Sequence, residues 1–246
     1  MGRRTVHGAV CVALVAAIGA CGSSSKHTTT SGAVDRIVRE TIAAAQQLHS
    51  YRVHATLTDQ QGPATIDLEL NGPTQVRMTE RRTSGTVQVI TFGAYTYILA
   101  PLAYWSSAPN LTPAEARAFA GRWVRLQTVD SPGLVVSEQA AANLGKPAQC
   151  WLSIEPDLSI AGIATVAGHR VVIMASRGSL PGSRPGRTYI STTDPKLPLK
   201  AVIDGPAKPG GPAACAKSTV TSGVETLGGF NQHFPISPPA GAIPLG

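Results

Sequence analysis

The sequence predicts an α+β fold in which one helix runs directly into an antiparallel meander. Three observations carry this. Val34, Ile37, Val38, Ile42, Ala45 and Leu48 recur at helical spacing, which predicts an amphipathic helix over Ala33–His49. From Tyr51 the apolar pattern switches to period two, the mark of half-buried strands. Short turns, Gln60-Gln61-Gly62-Pro63 and Asn71-Gly72-Pro73, join consecutive strand segments, so neighbours run antiparallel.

The N-terminus is set apart. Arg3 and Arg4 precede an apolar run of eleven residues, Val10 to Ala20. A spanning helix takes about 20 apolar residues, so the run reads as the hydrophobic part of an export signal over residues 1–20. Ile18-Gly19-Ala20-Cys21 resembles the bacterial lipobox. That resemblance implies diacylglyceryl transfer to the Cys21 sulfur, cleavage before it, and usually acylation of the new amine. The alternative is an ordinary export signal with a chance cysteine. Each buried methylene is worth about 0.8 kcal/mol, so a doubly acylated cysteine holds firmly to a bilayer.

Residues 21–32 then comprise the lipidated cysteine and a polar tether, GSSSKHTTTSG, whose reach as coil is roughly 20 Å. Cys11 leaves with the signal and Cys21 carries lipid, so Cys150 and Cys215 remain as a pair. Outside the cytoplasm such a pair reads as a disulfide. Closing its 65-residue loop would contribute about 4 kcal/mol in the chain-entropy model. A zinc site is the competing reading, and no His or Cys lies at ligand spacing from either cysteine.

Within the ordered region, 33–234, the strands follow in order. Tyr51, Val53, Ala55 and Leu57 alternate with polar residues, as do Ile66, Leu68 and Leu70. Val76 and Met78 continue as a third strand, Thr86–Thr91 as a fourth and Tyr95–Ala100 as a fifth. Thr112-Pro113-Ala114-Glu115 has the form of an N-cap, a proline at the first helical position and a capping box, so a short helix opens there. Arg122–Leu126 reads as a strand and Ser137–Leu144 as a further short helix. Strands resume at Ala164–Val166, Arg170–Ala175, Arg187–Thr192, Leu199–Ile203 and Lys217–Leu227. Gly178–Gly186 and Gly205–Ala214 read as loops. The Pro-rich tail, 235–246, is expected to lie extended.

Without residues 1–20 the chain carries 19 basic and 14 acidic residues, a balance of +5. The charge is scattered and few aromatics lie among it, which gives no nucleic-acid footprint. Attraction to anionic headgroups and a plain solvated basic surface both fit it. The densest basic cluster is Arg77, Arg81 and Arg82 at the end of the third strand. It reads either as a contact for a lipid phosphate or as a solvated hairpin edge that discourages strand pairing.

No catalytic constellation is legible. Gly182-Ser183-Arg184-Pro185-Gly186 has its serine in the wrong place for a nucleophile elbow. His49, His54, His169 and His233 stand apart from one another. Asp67 and Glu69 share a strand face, but the solvated one, and paired carboxylates need a pocket for acid–base work. Gly228-Gly229 is followed by no lysine that would make a phosphate loop. Neither a cofactor nor a metal site is expected, and the protein does not read as an enzyme.

The order of these pieces resembles the actinobacterial lipoprotein family of LppX, LprA, LprF and LprG, within the wider LolA/LolB-like half-barrels. The likeness runs from about Ala33 to Pro239. It is carried by Leu48-His49-Ser50-Tyr51 after the helix, Gly93-Ala94-Tyr95-Thr96-Tyr97, the pair Tyr104-Trp105 and Gly121-Arg122-Trp123-Val124. Thr165-Val166-Ala167-Gly168-His169, Leu197-Pro198-Leu199 and Pro238-Pro239 follow in the expected order. The Cys150/Cys215 pair departs from the family pattern and marks a divergent member.

The resemblance implies a curved antiparallel sheet, a half-barrel, wrapping helices on its concave face. It further implies an apolar space that accepts acyl chains of an envelope lipid or lipoglycan, on the outer face of the cytoplasmic membrane, without catalysis. The expected inner-face residues are Val53, Leu57, Ile66, Leu68, Val76, Met78, Val89, Tyr97 and Leu99, with Phe119 and Trp123 covering them. Taken alone, the alternation fits an ordinary packed core equally well. Two rivals stand beside the carrier reading: a sensor that engages an envelope protein partner, and a structural lipoprotein with no ligand.

Overall fold

The computed structural model describes residues 30–108, 110–128, 158–181, 183–209 and 219–245. Cys21, Cys150 and Cys215 lie outside these residues, as do the signal segment, most of the tether and the helix expected at Ser137–Leu144.

The amphipathic helix is α1, Thr30–Gln46. It begins inside the expected tether and closes with a tightened turn, where Gln47 N–H donates to the Ala44 carbonyl and Leu48 N–H to that of Ala45. The meander follows: β1 (Ser50–Asp59), β2 (Gly62–Asn71), β3 (Gln75–Arg82), β4 (Gly85–Phe92) and β5 (Tyr95–Leu99). Each is joined to the next by a short turn, as the Gly, Asn and Pro clusters dictate. A helix that periodicity did not suggest, α2 (Leu102–Ser106), follows Pro101. The next helix, α3 (Pro113–Phe119), opens as expected: Thr112 Oγ1 accepts from the Glu115 N–H, and the Glu115 carboxylate accepts from the Thr112 N–H at 2.8 Å. β6 (Trp123–Gln127) completes the first half.

The second half consists of β7 (Ser159–Val166), β8 (His169–Arg177), β9 (Pro185–Ser191), β10 (Pro198–Ile203) and β11 (Ser222–Gly228). β7 starts five residues before the expected Ala164, because a bulge between Ile160 and Gly162 interrupts its alternation. In the tail, Ile243–Pro244 forms β12.

Among the described residues these strands make one open sheet, in the order β12-β6-β5-β4-β3-β2-β1-β11-β10-β9-β8-β7. All neighbours are antiparallel except β12, which runs parallel to β6. The sheet is a curved half-barrel with the helices on its concave side. Its two halves meet where β1 pairs with β11, from Arg52 opposite Gly228 to Thr58 opposite Ser222. That approach is close enough to need a glycine. A Cβ on Gly223 would sit 2.5 Å from Leu57 Cδ2 and 2.6 Å from the Thr56 carbonyl oxygen.

From β11 the chain turns back across the convex side as an extended strap. Asn231 N–H donates to the Ser50 carbonyl, Asn71 Nδ2 donates to the Phe234 carbonyl at 2.7 Å, and Arg77 Nη1 donates to the Pro235 carbonyl at 3.2 Å. Phe234 is buried under the Arg52 guanidinium, which stands 5.3 Å from the ring centroid. The strap ends at β12 and so covers the free edge of β6.

Candidate functional site

Alternation along β1 to β4 turns Val53, Leu57, Ile66, Leu68, Val76, Met78 and Val89 to the concave face, each 4% exposed or less. They pack with Ala45 of α1, Trp105 of α2 and Ala116 of α3 in one cluster, with Phe119 against it. The Trp105 ring meets Tyr104 edge-on at 5.1 Å and Phe119 at 5.6 Å. These seven residues thus share the concave face, and Phe119 lies against them.

Tyr97, Leu99 and Trp123 do not join them. The turn Gly93-Ala94 sets Phe92 opposite Tyr95, so Thr91 faces Thr96 and Val89 faces Ile98 on the concave side. Tyr97 and Leu99 therefore project from the convex face, and so does Trp123, the partner of Leu99. Thr96, Ile98, Val124 and Leu126 take the inner positions. Tyr95–Leu99 is apolar or β-forming at every position, so alternation within the segment carries no parity. The turn decides it.

A second concave cluster lies in the other half: Val172, Met174 and Ile190 from the sheet, Leu158, and Val34 and Val38 from α1. Beside it, Ile160 and Ile163 of β7 pair with Met174 and Val172, and so share their face. They remain 37% and 58% exposed. Among the described residues, apolar concave surface is thus open at the β7 end and covered under α2 and α3.

Between the two clusters runs a polar seam that sequence reasoning missed. Glu225 stands on the concave face between Ala55 and Ala201. It is 2% exposed. Burial pushes its carboxyl up to about 7, against the opposing effect of the Arg184 guanidinium. Its Oε2 has no hydrogen-bond partner among the described residues, nor does Oγ1 of Thr41, which is fully buried on α1 between Val38 and Ala45. The signal was present in parity, since Glu225 shares its face with Leu227.

The end of the half-barrel holds a second buried polar group. Arg82, which the sequence places in a basic cluster read either as a lipid-phosphate contact or as a solvated hairpin edge, faces inward with Glu80. Its Nη1 and Nη2 grip Asp59 at 2.9 and 2.7 Å, and its Nε donates to Glu80. Burial pushes the Asp59 carboxyl up, but the bonds from Arg82 and from the Gln61 N–H outweigh it and hold the group below its usual range. Arg77 and Arg81 do lie on the solvated face, where they pair with Glu69 and Asp67. His54 also bonds Asp67, at 2.7 Å. These convex carboxylates are engaged in ion pairs across strands, as their solvated face implied.

Solved structures share this architecture. The lipoprotein LppX of Mycobacterium tuberculosis superposes with a TM-score of 0.52 at 14% identity, over 84% of this chain and 99% of that one. LprF of Mycobacterium bovis gives 0.52 at 15% identity, over 89% and 100%. At such identities the likeness is one of fold. No protein-family model and no curated protein matches the sequence.

Two outcomes follow from the site. Ile98→Ala should cost about 2–4 kcal/mol and Leu99→Ala under about 1 kcal/mol, by denaturant titration. Equal losses would mean that the face assignment is wrong. Glu225 holds its proton to about pH 7 when folded, whereas the unfolded carboxyl loses it near 4.3. Because the folded state binds the proton more tightly, stability should fall as pH rises from about 4.3 to 7 and then level off. Glu225→Gln should remove that slope and be more stable at pH 8 by on the order of 3 kcal/mol. Parallel pH profiles for the two proteins would refute this.

Proposed function

We propose that the protein is exported, anchored through lipidated Cys21 to the outer face of the cytoplasmic membrane, and binds acyl chains of envelope lipids as a non-catalytic carrier. The observation that carries the reading is the open apolar surface at Ile160 and Ile163, continuous with the cluster of Val172, Met174 and Ile190 beneath α1. An aliphatic lining of this kind suits flexible chains better than rigid ring ligands. The fold shared with LppX, itself a lipoprotein, supports the same reading. So does the lipobox-like Ile18-Gly19-Ala20-Cys21 ahead of a polar tether.

In this reading acyl chains enter from the β7 end. They would reach Val53, Leu57, Ile66, Leu68, Val76, Met78 and Val89 only if α2 and α3, with Trp105 and Phe119, lifted from the sheet. Cys150 and Cys215 would form a disulfide in the oxidising envelope.

Native mass spectrometry of the chain from Gly22 onward tests the ligand. The protein would be produced without lipidation in an actinobacterial host and measured before and after organic extraction. A discrete added mass that extraction removes and that identifies as an acylated lipid is expected. A clean apo mass under mild desolvation would favour a protein-binding or structural role. For the anchor, Cys21→Ala should move the protein from the membrane fraction to the soluble one, and a variant that still pellets with membranes would overturn it.

A further inference from the structure

At the end of the half-barrel marked by the β1–β2 and β3–β4 turns, a cavity of 340 Å³ opens between the sheet and α2. Ligand pockets begin at about this size. Its polar lining comes from Gln61, Glu80, Arg82, Ser84, Tyr104 and Ser107. The helix lies close over the turn because residue 85 is glycine. It has φ +130°, and a Cβ there would stand 2.9 Å from Pro101 Cγ.

The charge of this site is not balanced. Glu80, Asp59 and Arg82 are two carboxylates and one guanidinium, and their side chains are 5%, 4% and 11% exposed. Arg82 borders the cavity but spends its N–H groups on the protein. Its Nε donates to Glu80, Nη1 and Nη2 donate to Asp59, and Nη1 also donates to the Gly62 carbonyl. At most one of its five N–H groups remains for anything else. Asp59 is equally committed, gripped by Arg82 and accepting from the Gln61 N–H at 2.8 Å. Glu80 uses Oε1 on Arg82 and lines the cavity, so the surplus negative charge faces that space.

Among the described residues no other charged side chain borders the cavity, and its remaining polar lining is neutral. A phosphate or carboxylate would meet net repulsion there. A cation would complete the charge balance, and the aromatic ring of Tyr104 adds an apolar, electron-rich wall suited to an alkylated nitrogen.

We propose that this cavity binds an organic ammonium group, with Glu80 as its counter-ion and Tyr104 as its wall. The site is independent of acyl-chain binding on the β7 side, so either assignment can fail without the other. The ammonium could belong to a free amine or to an aminoalkyl lipid headgroup, and the recognition chemistry is the same.

The test uses the full-length chain purified in a mild non-ionic detergent, isotopically labelled and titrated with ethanolamine at constant ionic strength. Saturable amide shifts confined to Gln61, Glu80, Ser84 and Tyr104 are expected, with affinity weakened at least tenfold in Glu80→Gln. Bicelles containing phosphatidylethanolamine, set against phosphatidylglycerol, distinguish the sources. The same shifts at lower amine concentration assign the site to a headgroup, and their absence assigns it to a free amine. Non-saturable shifts, an equal response to the neutral polyol inositol, or undiminished binding in Glu80→Gln would overturn the proposal. Should Glu80→Gln not fold, Tyr104→Leu leaves the ion pairs intact and should weaken binding at least threefold. Unchanged affinity in that variant would remove the ligand from this cavity.

Discussion

The pairing of β1 with β11 holds the molecule together. β1 is the centre of the sheet, bonded to β2 on one side and to a strand from the far end of the chain on the other. Without that ladder the chain would be two separate meanders, each with its own small apolar face. Its closure spans most of the sequence, and the entropic cost grows only slowly with loop length. What offsets it is burial: α1 lies across the join, with Val34 and Val38 in one cluster and Ala45 in the other. The steric demand is equally local, since only a glycine at 223 lets β11 approach Leu57 and Thr56.

Two buried polar groups on the concave face meet the cost of desolvation in different ways. Asp59 and Glu80 are tied to Arg82 by a dense set of charge-assisted hydrogen bonds. Glu225 lacks a comparable set, and its carboxyl is pushed toward the neutral form instead. The first arrangement ties the end of β1 to β3. The second makes the join between the two halves sensitive to proton concentration. Both interrupt the apolar concave surface.

The edges of the open sheet are treated unequally. β6 is covered by β12, delivered by a strap pinned along the convex face through Asn71, Arg77 and the buried Phe234. Among the described residues β7 ends the sheet on the other side with no charged residue and no proline, and it exposes Ile160 and Ile163. Charged or proline-bearing edges discourage strand pairing. This edge lacks both, and it borders the concave surface that the carrier reading requires to be accessible.

Much of this was legible in the sequence. Helical periodicity located α1, alternation and turn residues located β1 to β5, and the capping box located α3, because each signal is local and acts over a few residues. Seven inner-face residues followed from parity alone. Sequence did not show that Tyr97 and Leu99 face outward, since Tyr95–Leu99 has no parity until its turn and partner strand set the register, whereas for Trp123 the signal was present, because it shares its face with Arg125 and Gln127. Nor did it show that Arg82 turns inward to Asp59 and Glu80 while Arg81 turns out to Asp67, because a run of charged residues reads as solvated until the neighbouring strands supply partners. The sequence by itself determined the elements and most of one face. Tertiary structure alone decided which distant strands meet, which charges are buried and which apolar surface stays open, because those outcomes depend on contacts between residues far apart in the chain.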